Sequence, residues 1–252
     1  MEGEVGTLSA GVVAEVSLAA DTETQICVIT KGFDYTIHEI NWTWANVVDA
    51  KAATGFLEAK FASGKTPHRI PIGFGAGGAA TLENKKAGSL EVNWGVDAND
   101  QMTIYATMTE NCVGAFAGIK YTKGKSSGQN TYEDCNTAED AAVSADTLSE
   151  VGTITIPPKL GGQCKKILVS YANVVDAKAA GGYVQLEFSG GNRGSQRYIV
   201  GGGSGGATNS GALMNAQEID VDFEVVASET VTFNIYLAEA AVNAHIGLQW
   251  VK

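Results

Sequence analysis

Two glycine-rich strings are the first residues whose types and spacing could do chemistry: Gly73-Phe74-Gly75-Ala76-Gly77-Gly78 and Gly201-Gly202-Gly203-Ser204-Gly205-Gly206. Backbone amides in such strings can cradle a phosphate, but a P-loop also needs a terminal Lys-Ser/Thr and a helix whose N-terminus faces the anion. Neither string has them, so both are read as inter-strand loops. Asp220, Asp222 and Glu224 recur at every second residue, which on a strand puts three carboxylates on one solvent face, about 7 Å apart. Paired catalytic carboxylates need a concave site that separates their pKa values, and the matching stretch in the first half carries Glu91, Asn93 and Gly95. These acids are therefore read as a solvated face, with a Ca²⁺ site as the sharper alternative. His38, His68 and His245 fall in unlike positions, and Cys27, Cys112, Cys135 and Cys164 form no CxxC pair. No zinc site is expected, and the cysteines are read as buried free thiols, with at least one disulfide as the alternative. No catalytic, cofactor-binding or metal-ligating residue is assigned.

Two sets remain as candidates for contact. Trp42 and Trp44, two apart, share one face of a strand and are the best candidates for an exposed aromatic patch, whereas Trp94 and Trp250 fall on core strands. Asn46, Asp49 and Lys51 recur as Asn173, Asp176 and Lys178. That repeated polar set is either an Asx-capped turn leading into a helical turn or an interface used equivalently in two places.

The elements that would position these residues come from a duplication. Ala45–Ala53 and Ala172–Ala180 are the same nine residues, Ala-Asn-Val-Val-Asp-Ala-Lys-Ala-Ala. Downstream, Arg69-Ile70-Pro71-Ile72-Gly73 aligns with Arg197-Tyr198-Ile199-Val200-Gly201, and the frame holds from Leu90/Ile219 to Lys123/Lys252. Upstream, Glu4-Val5-Gly6-Thr7-Leu8 resembles Glu150-Val151-Gly152-Thr153-Ile154. This last match leaves the first copy about 19 residues longer, within roughly Gly11 to Phe33. The expected organisation is a first domain at 1–123, a polar, acidic linker at 124–147 and a second domain at 148–252.

Period-two alternation dominates each copy. In the second it predicts strands at Thr153–Ile156, Lys166–Asn173, Tyr183–Phe188, Gln196–Val200, Ile219–Val225, Thr230–Ala238 and Ile246–Val251. Only Asp49–Ala53 and Thr137–Val143 look like helical turns. Seven or eight short strands per copy give an all-β chain of two tandem jelly-roll-like β-sandwich domains.

Charge narrows the function. Twenty-eight acidic residues against 17 basic give a net charge of −11, a sign that repels phosphate backbones and anionic headgroups, so no direct nucleic-acid partner is expected. The N-terminus lacks the basic and apolar regions of a signal peptide, and no apolar run approaches the roughly 20 residues of a membrane-spanning helix. The expectation is a protein used without the general secretory route, unless a leader precedes Met1.

The strand passages Lys166-Ile167-Leu168-Val169-Ser170-Tyr171-Ala172, Gly182-Tyr183-Val184-Gln185-Leu186 and Ile219-Asp220-Val221, with the glycine loop at Gly201, set in two like domains, resemble the double jelly-roll major capsid proteins of the adenovirus and tectivirus lineage. The resemblance covers the whole chain as architecture. It implies a non-enzymatic homotrimer with six domains in a pseudo-hexagonal capsomer. It also implies partners in neighbouring capsomers, other capsid proteins and an internal membrane, and a place in the virion. At 252 residues this would be a small member. The competing expectation is a secreted or surface β-sandwich, either a carbohydrate-binding module or a filament subunit that donates an unpaired strand from Glu4–Val16.

Overall fold

The computed structural model describes residues 5–9, 16–46, 53–74, 85–126, 128–138, 141–173, 180–190, 193–202 and 214–252. None of these is helical. The first half contributes β1 (Val5–Ser9), β2 (Val16–Leu18), β3 (Thr24–Ile29), β4 (Tyr35–Asn46), β5 (Ala53–Phe61), β6 (His68–Phe74), β7 (Lys85–Val96), β8 (Met102–Met108) and β9 (Cys112–Lys123). The second contributes β10 (Thr131–Cys135), β11 (Ser149–Thr155), β12 (Gly162–Asn173), β13 (Ala180–Phe188), β14 (Gln196–Gly202), β15 (Met214–Val225), β16 (Thr230–Leu237) and β17 (Ala241–Val251).

Both halves fold the same way. The first pairs β1-β9-β4-β7, with β2 also on β9, and packs this sheet on β3-β8-β5-β6; the second pairs β10-β17-β12-β15 and β11-β16-β13-β14. Setting β2 aside, each half runs first-eighth-third-sixth in one sheet and second-seventh-fourth-fifth in the other. All these pairings are antiparallel. This is the eight-stranded jelly roll, twice.

The bulges repeat as well. β3 and β11 shift register at Gln25/Cys27 and Glu150/Gly152. β4 and β12 shift at Ile37/Glu39 and Cys164/Lys166, and again at Thr43/Ala45 and Ser170/Ala172. A bulge leaves one residue unpaired and bends its strand. Three bulges at matching places extend the duplication from sequence to backbone.

Strand pairing corrects one step of the sequence alignment. Val5 lies opposite Thr122 on β9, and Thr131 lies opposite Val251 on β17, so β1 answers β10. The strand holding Thr153 pairs with β16, and its counterpart is β3 on β8, not the stretch from Glu4. Matching Val5 to Thr131 gives an offset of 126, and Thr24 to Ser149 gives 125, close to the 127 of the identical nonapeptide. The extra 19 residues of the first copy vanish. Short Val-Gly-Thr strings with an apolar end had matched by composition.

The linker contracts for the same reason. Thr131–Cys135 is a strand of the second jelly roll, and Val143 bridges Ala241. Buried Asn136 donates to the Val151 and Ala244 carbonyls and accepts from the Ile246 amide. The described residues of Thr137–Val143 are not helical. Of Asp49–Ala53, only Ala53 is described, and it opens β5. The strand proposed for donation also has a home, since β1 pairs along β9 of its own sheet.

Each jelly roll has its own core, centred on Ile40, Leu57, Trp94 and Ile104 in one and Tyr171, Leu186, Phe233 and Trp250 in the other. Alternation holds on β16, where Val231, Phe233, Ile235 and Leu237 are all buried. Burying side chains of this size contributes about 1.5–3 kcal/mol each. All four cysteines are free and buried. Burial pushes the Cys27 thiol up to about 11 and those of Cys112 and Cys164 up to about 12, which leaves them protonated and unreactive near neutral pH.

Candidate functional site

β17 breaks the one-sided pattern of a sandwich strand. Ile246, Leu248 and Trp250 face their own core, yet His245, Gly247 and Gln249 between them are buried too. The second face is covered by the other jelly roll, through β5 and β6. Leu168, pointing the same way from β12, is buried within the first domain's apolar cluster. The seam thus joins the β5–β6 face of one domain to the β10–β17–β12 face of the next. These are unlike faces, so the contact is head-to-tail.

Glu133 on β10 is its centre. Its Oε2 accepts from Trp94 Nε1 at 2.8 Å and lies 2.8 Å from His68 Nδ1; its Oε1 accepts from Gln249 Nε2 at 2.9 Å. Gln249 Nε2 also reaches the Glu91 carbonyl, 2.8 Å away. The His68 ring stacks on the Trp94 indole with centroids 4.2 Å apart, which holds both donors in line with one carboxylate. A buried carboxylate needs such satisfaction to be tolerated.

Beside this cluster, Arg69 Nε donates to Glu58 Oε1 at 3.0 Å, and its Nη1 reaches Asp134 Oδ1 at 3.5 Å. Burial pushes the Asp134 carboxyl above its ordinary range, against the pull of Arg69. At the far end, Thr54 Oγ1 donates to the Asn243 carbonyl, Phe56 meets the His245 ring edge-on, and Pro71 packs over Gly247. Burial holds His245 down at about 4, with a weak opposing contact to the Asn136 carbonyl. The chemistry available here is adhesion between domains.

A cleft of about 580 Å³ opens at one end of the seam, lined by His68, Trp94, Tyr132, Lys65, Lys125 and Asp97. Lys125 and Lys65 both pair with Asp97, and these bonds hold its carboxyl down at about 2. The cleft's charges are thereby largely neutralised from within.

The sequence-derived candidates lie elsewhere. Trp42 is buried in the first core, 9% exposed, so it is no exposed platform: at its register it lies against Gly88, where a Cβ would come within 2.6 Å of the indole. Trp44 sits on β4, and its side chain lies outside the described residues, as do Asp49, Lys51, Asp176 and Lys178. Asn46 and Asn173 end the matching strands β4 and β12, their backbones opposite Cys112 and Ala241. The glycine strings run into the ends of β6 and β14, and their remaining residues are outside the described set. Asp220, Asp222 and Glu224 are exposed as expected, Asp222 paired with Lys165. His38, His68 and His245 remain apart: His38 bonds Thr122, His68 bonds Glu133, and His245 approaches Asn136.

Sequence reasoning missed the Glu133 cluster because Glu133 stood in a presumed linker. Its partners are 39, 65 and 116 residues away. The usable signal was in β17, where His245 and Gln249 replace Phe116 and Lys120 of the first copy.

Neither a protein-family profile nor a curated protein matches the chain. Among solved structures it is similar to the major capsid protein P2 from bacteriophage PM2, at 9% identity over 98% of each chain with a TM-score of 0.40. It is also similar to infectious bursal disease virus, Gx strain, at 8% identity over 98% of this chain and 70% of that one, with a TM-score of 0.33. A third is the CBM22-1-CBM22-2 tandem domain from Paenibacillus barcinonensis Xyn10C, at 10% identity over 96% and 91%, with a TM-score of 0.26.

Proposed function

We propose that this chain is the building block of a viral shell: a non-enzymatic major capsid protein whose three copies bring six jelly rolls into one pseudo-hexagonal capsomer of the virion. The observation that carries this reading is the seam. Two jelly rolls of the same topology are held through unlike faces by a buried polar cluster in which both Glu133 oxygens are bonded, which ties the pair into one two-domain block. Blocks of near-repeating units tile well, because a contact solved once can be reused around a ring. The work of such a protein lies in contacts with itself, with neighbouring capsomers, with other capsid proteins and with an internal membrane. A net charge of −11 supports a shell that does not grip its genome directly.

One observation favours a second reading, a carbohydrate-binding surface protein. Tyr183 and Tyr236, half-buried on neighbouring strands, stack ring on ring with centroids 5.2 Å apart at 9°, an aromatic pair of the kind against which a sugar ring packs. Negative-stain microscopy of the purified chain, with glycan binding measured in parallel, separates the two. Six-lobed particles or closed shells support the capsid reading. A dispersed monomer that binds glycans overturns it.

A further inference from the structure

The seam uses one face from each jelly roll, and the duplication supplies a second example of each face. In the first domain, the counterpart of the β10–β17–β12 face is β1–β9–β4. In the second, the counterpart of β5–β6 is β13–β14. We propose that these two open faces bind each other between copies of this chain, repeating the head-to-tail seam, with Ile199 of one copy seated over Gly118 beside Phe116 of the next. The proposal deepens the capsid reading by naming the contact, and it rests on that reading only in taking the occupant to be a second copy.

Position by position, the open faces carry what such a contact needs. Pro71, which packs over Gly247 in the seam, has Ile199 as its counterpart, and Ile199 is 87% exposed. Gly247 has Gly118 as its counterpart, a glycine at the wall of a groove on the first domain. Phe56 and His245, edge-on in the seam, correspond to Tyr183 and Phe116; Phe116 is 40% exposed. Gly118 and Phe116 line a mostly apolar groove of about 320 Å³ together with Asn41, Thr43 and Gly88. Leu168 and Ser170, buried in the seam, are the counterparts of Asn41 and Thr43. Large exposed apolar side chains beside an apolar groove mark contact surfaces.

One further feature fits. The Arg69–Glu58 bond of the seam has a twin: Arg197 Nε donates to Gln185 Oε1 at 2.6 Å, on the same strand pair.

The buried cluster is not repeated. Glu133, His68, Trp94 and Gln249 have Thr7, Gln196, Phe223 and Lys120 in their places. The contact between copies therefore lacks the sealed charge of the seam, which suits a joint that must form after folding and be proof-read during assembly.

Complementary surface variants of the 252-residue chain test this, with mass measured by light scattering or native mass spectrometry. Ile199→Asp spoils one face and Phe116→Asp the other. Both positions are exposed, and an unchanged denaturation midpoint checks that each variant folds. Each variant alone should be monomeric under conditions where the unmodified chain assembles. An equal mixture should give a one-to-one dimer and nothing larger, because only one intact pair of faces remains. Overturning results are equally specific. If both variants assemble like the parent, this interface is wrong while the capsid reading stands. If the single variants dimerise with themselves, or the mixture stays monomeric, head-to-tail pairing is wrong. If the unmodified chain is a monomer at every concentration, both readings fall.

Discussion

The seam and the open faces are the same geometry in two states. In the seam, the face carrying His245, Gly247 and Gln249 is covered, and a carboxylate at its centre is tied to a tryptophan, a histidine and a glutamine. On the open face of the first domain, the same positions hold Phe116, Gly118 and Lys120, and Lys120 pairs at the surface with Glu39. The difference teaches how a duplicated fold commits one of two equivalent faces to a contact within the chain. Topology supplies the faces, and a handful of buried polar substitutions marks the one that the second domain covers.

The sharpest way to break this comparison is to remove the central charge. Glu133→Ala strands His68 Nδ1 and Trp94 Nε1 in a buried seam, leaves Gln249 Nε2 with the Glu91 carbonyl alone, and should cost about 3–5 kcal/mol in chemical denaturation. Lys120→Ala, at the counterpart of Gln249 on the open face, should cost less than about 1 kcal/mol, the scale of an exposed ion pair. Equal losses from both would mean that the cluster does not distinguish the faces.

Acid should discriminate next. His245 is neutral in the folded chain and held down at about 4 from its ordinary 6.5. Protons therefore bind the unfolded chain first as pH falls. Its share of the stability is present above pH 6.5 and is lost as pH drops toward 4, by roughly 3 kcal/mol at about 1.4 kcal/mol per unit. His245→Phe installs the residue of the open face and should flatten that limb of the pH–stability profile. A profile unchanged by the substitution would show that another group drives it.

Gly247→Ala is expected to have a smaller effect. An added Cβ would lie 2.9 Å from the Asp134 carbonyl oxygen, 2.9 Å from Cys135 Cβ and 3.1 Å from Pro71 Cδ, where backbone cannot step aside. A loss of about 1–3 kcal/mol is expected from overpacking, read as a lowered denaturation midpoint. The smallest effect belongs to Ile199→Ser, which removes nothing buried and should leave folding stability within about 0.5 kcal/mol while weakening assembly.

Much of the fold was legible from the sequence because sandwich strands announce themselves by period two, and the strands of the second copy follow that alternation closely. The nonapeptide fixed the duplication without any structure. What failed were judgements about short or polar segments. Thr131–Cys135 has no alternating apolar run, since its neighbours on β17 supply the hydrophobicity, and it passed for linker. Glu4–Leu8 matched Glu150–Ile154 by composition although the two occupy different sheets. Trp42 looked exposed because the glycine opposite it, Gly88, which lets the indole pack down, lies 46 residues away. The seam was the least visible part. Its polar side chains alternate with apolar ones exactly as a solvent face would, and only the packing of a second domain turns His245 and Gln249 inward.

An electron cryomicroscopy reconstruction of the assembled 252-residue chain should show six lobes joined by contacts of one kind, with β13–β14 of each chain lying on β9–β4 of the next and Ile199 over Gly118, as Pro71 lies over Gly247 within the chain. An assembly joined through two like faces, or through sheet edges that leave Ile199 and Phe116 in solvent, would contradict it.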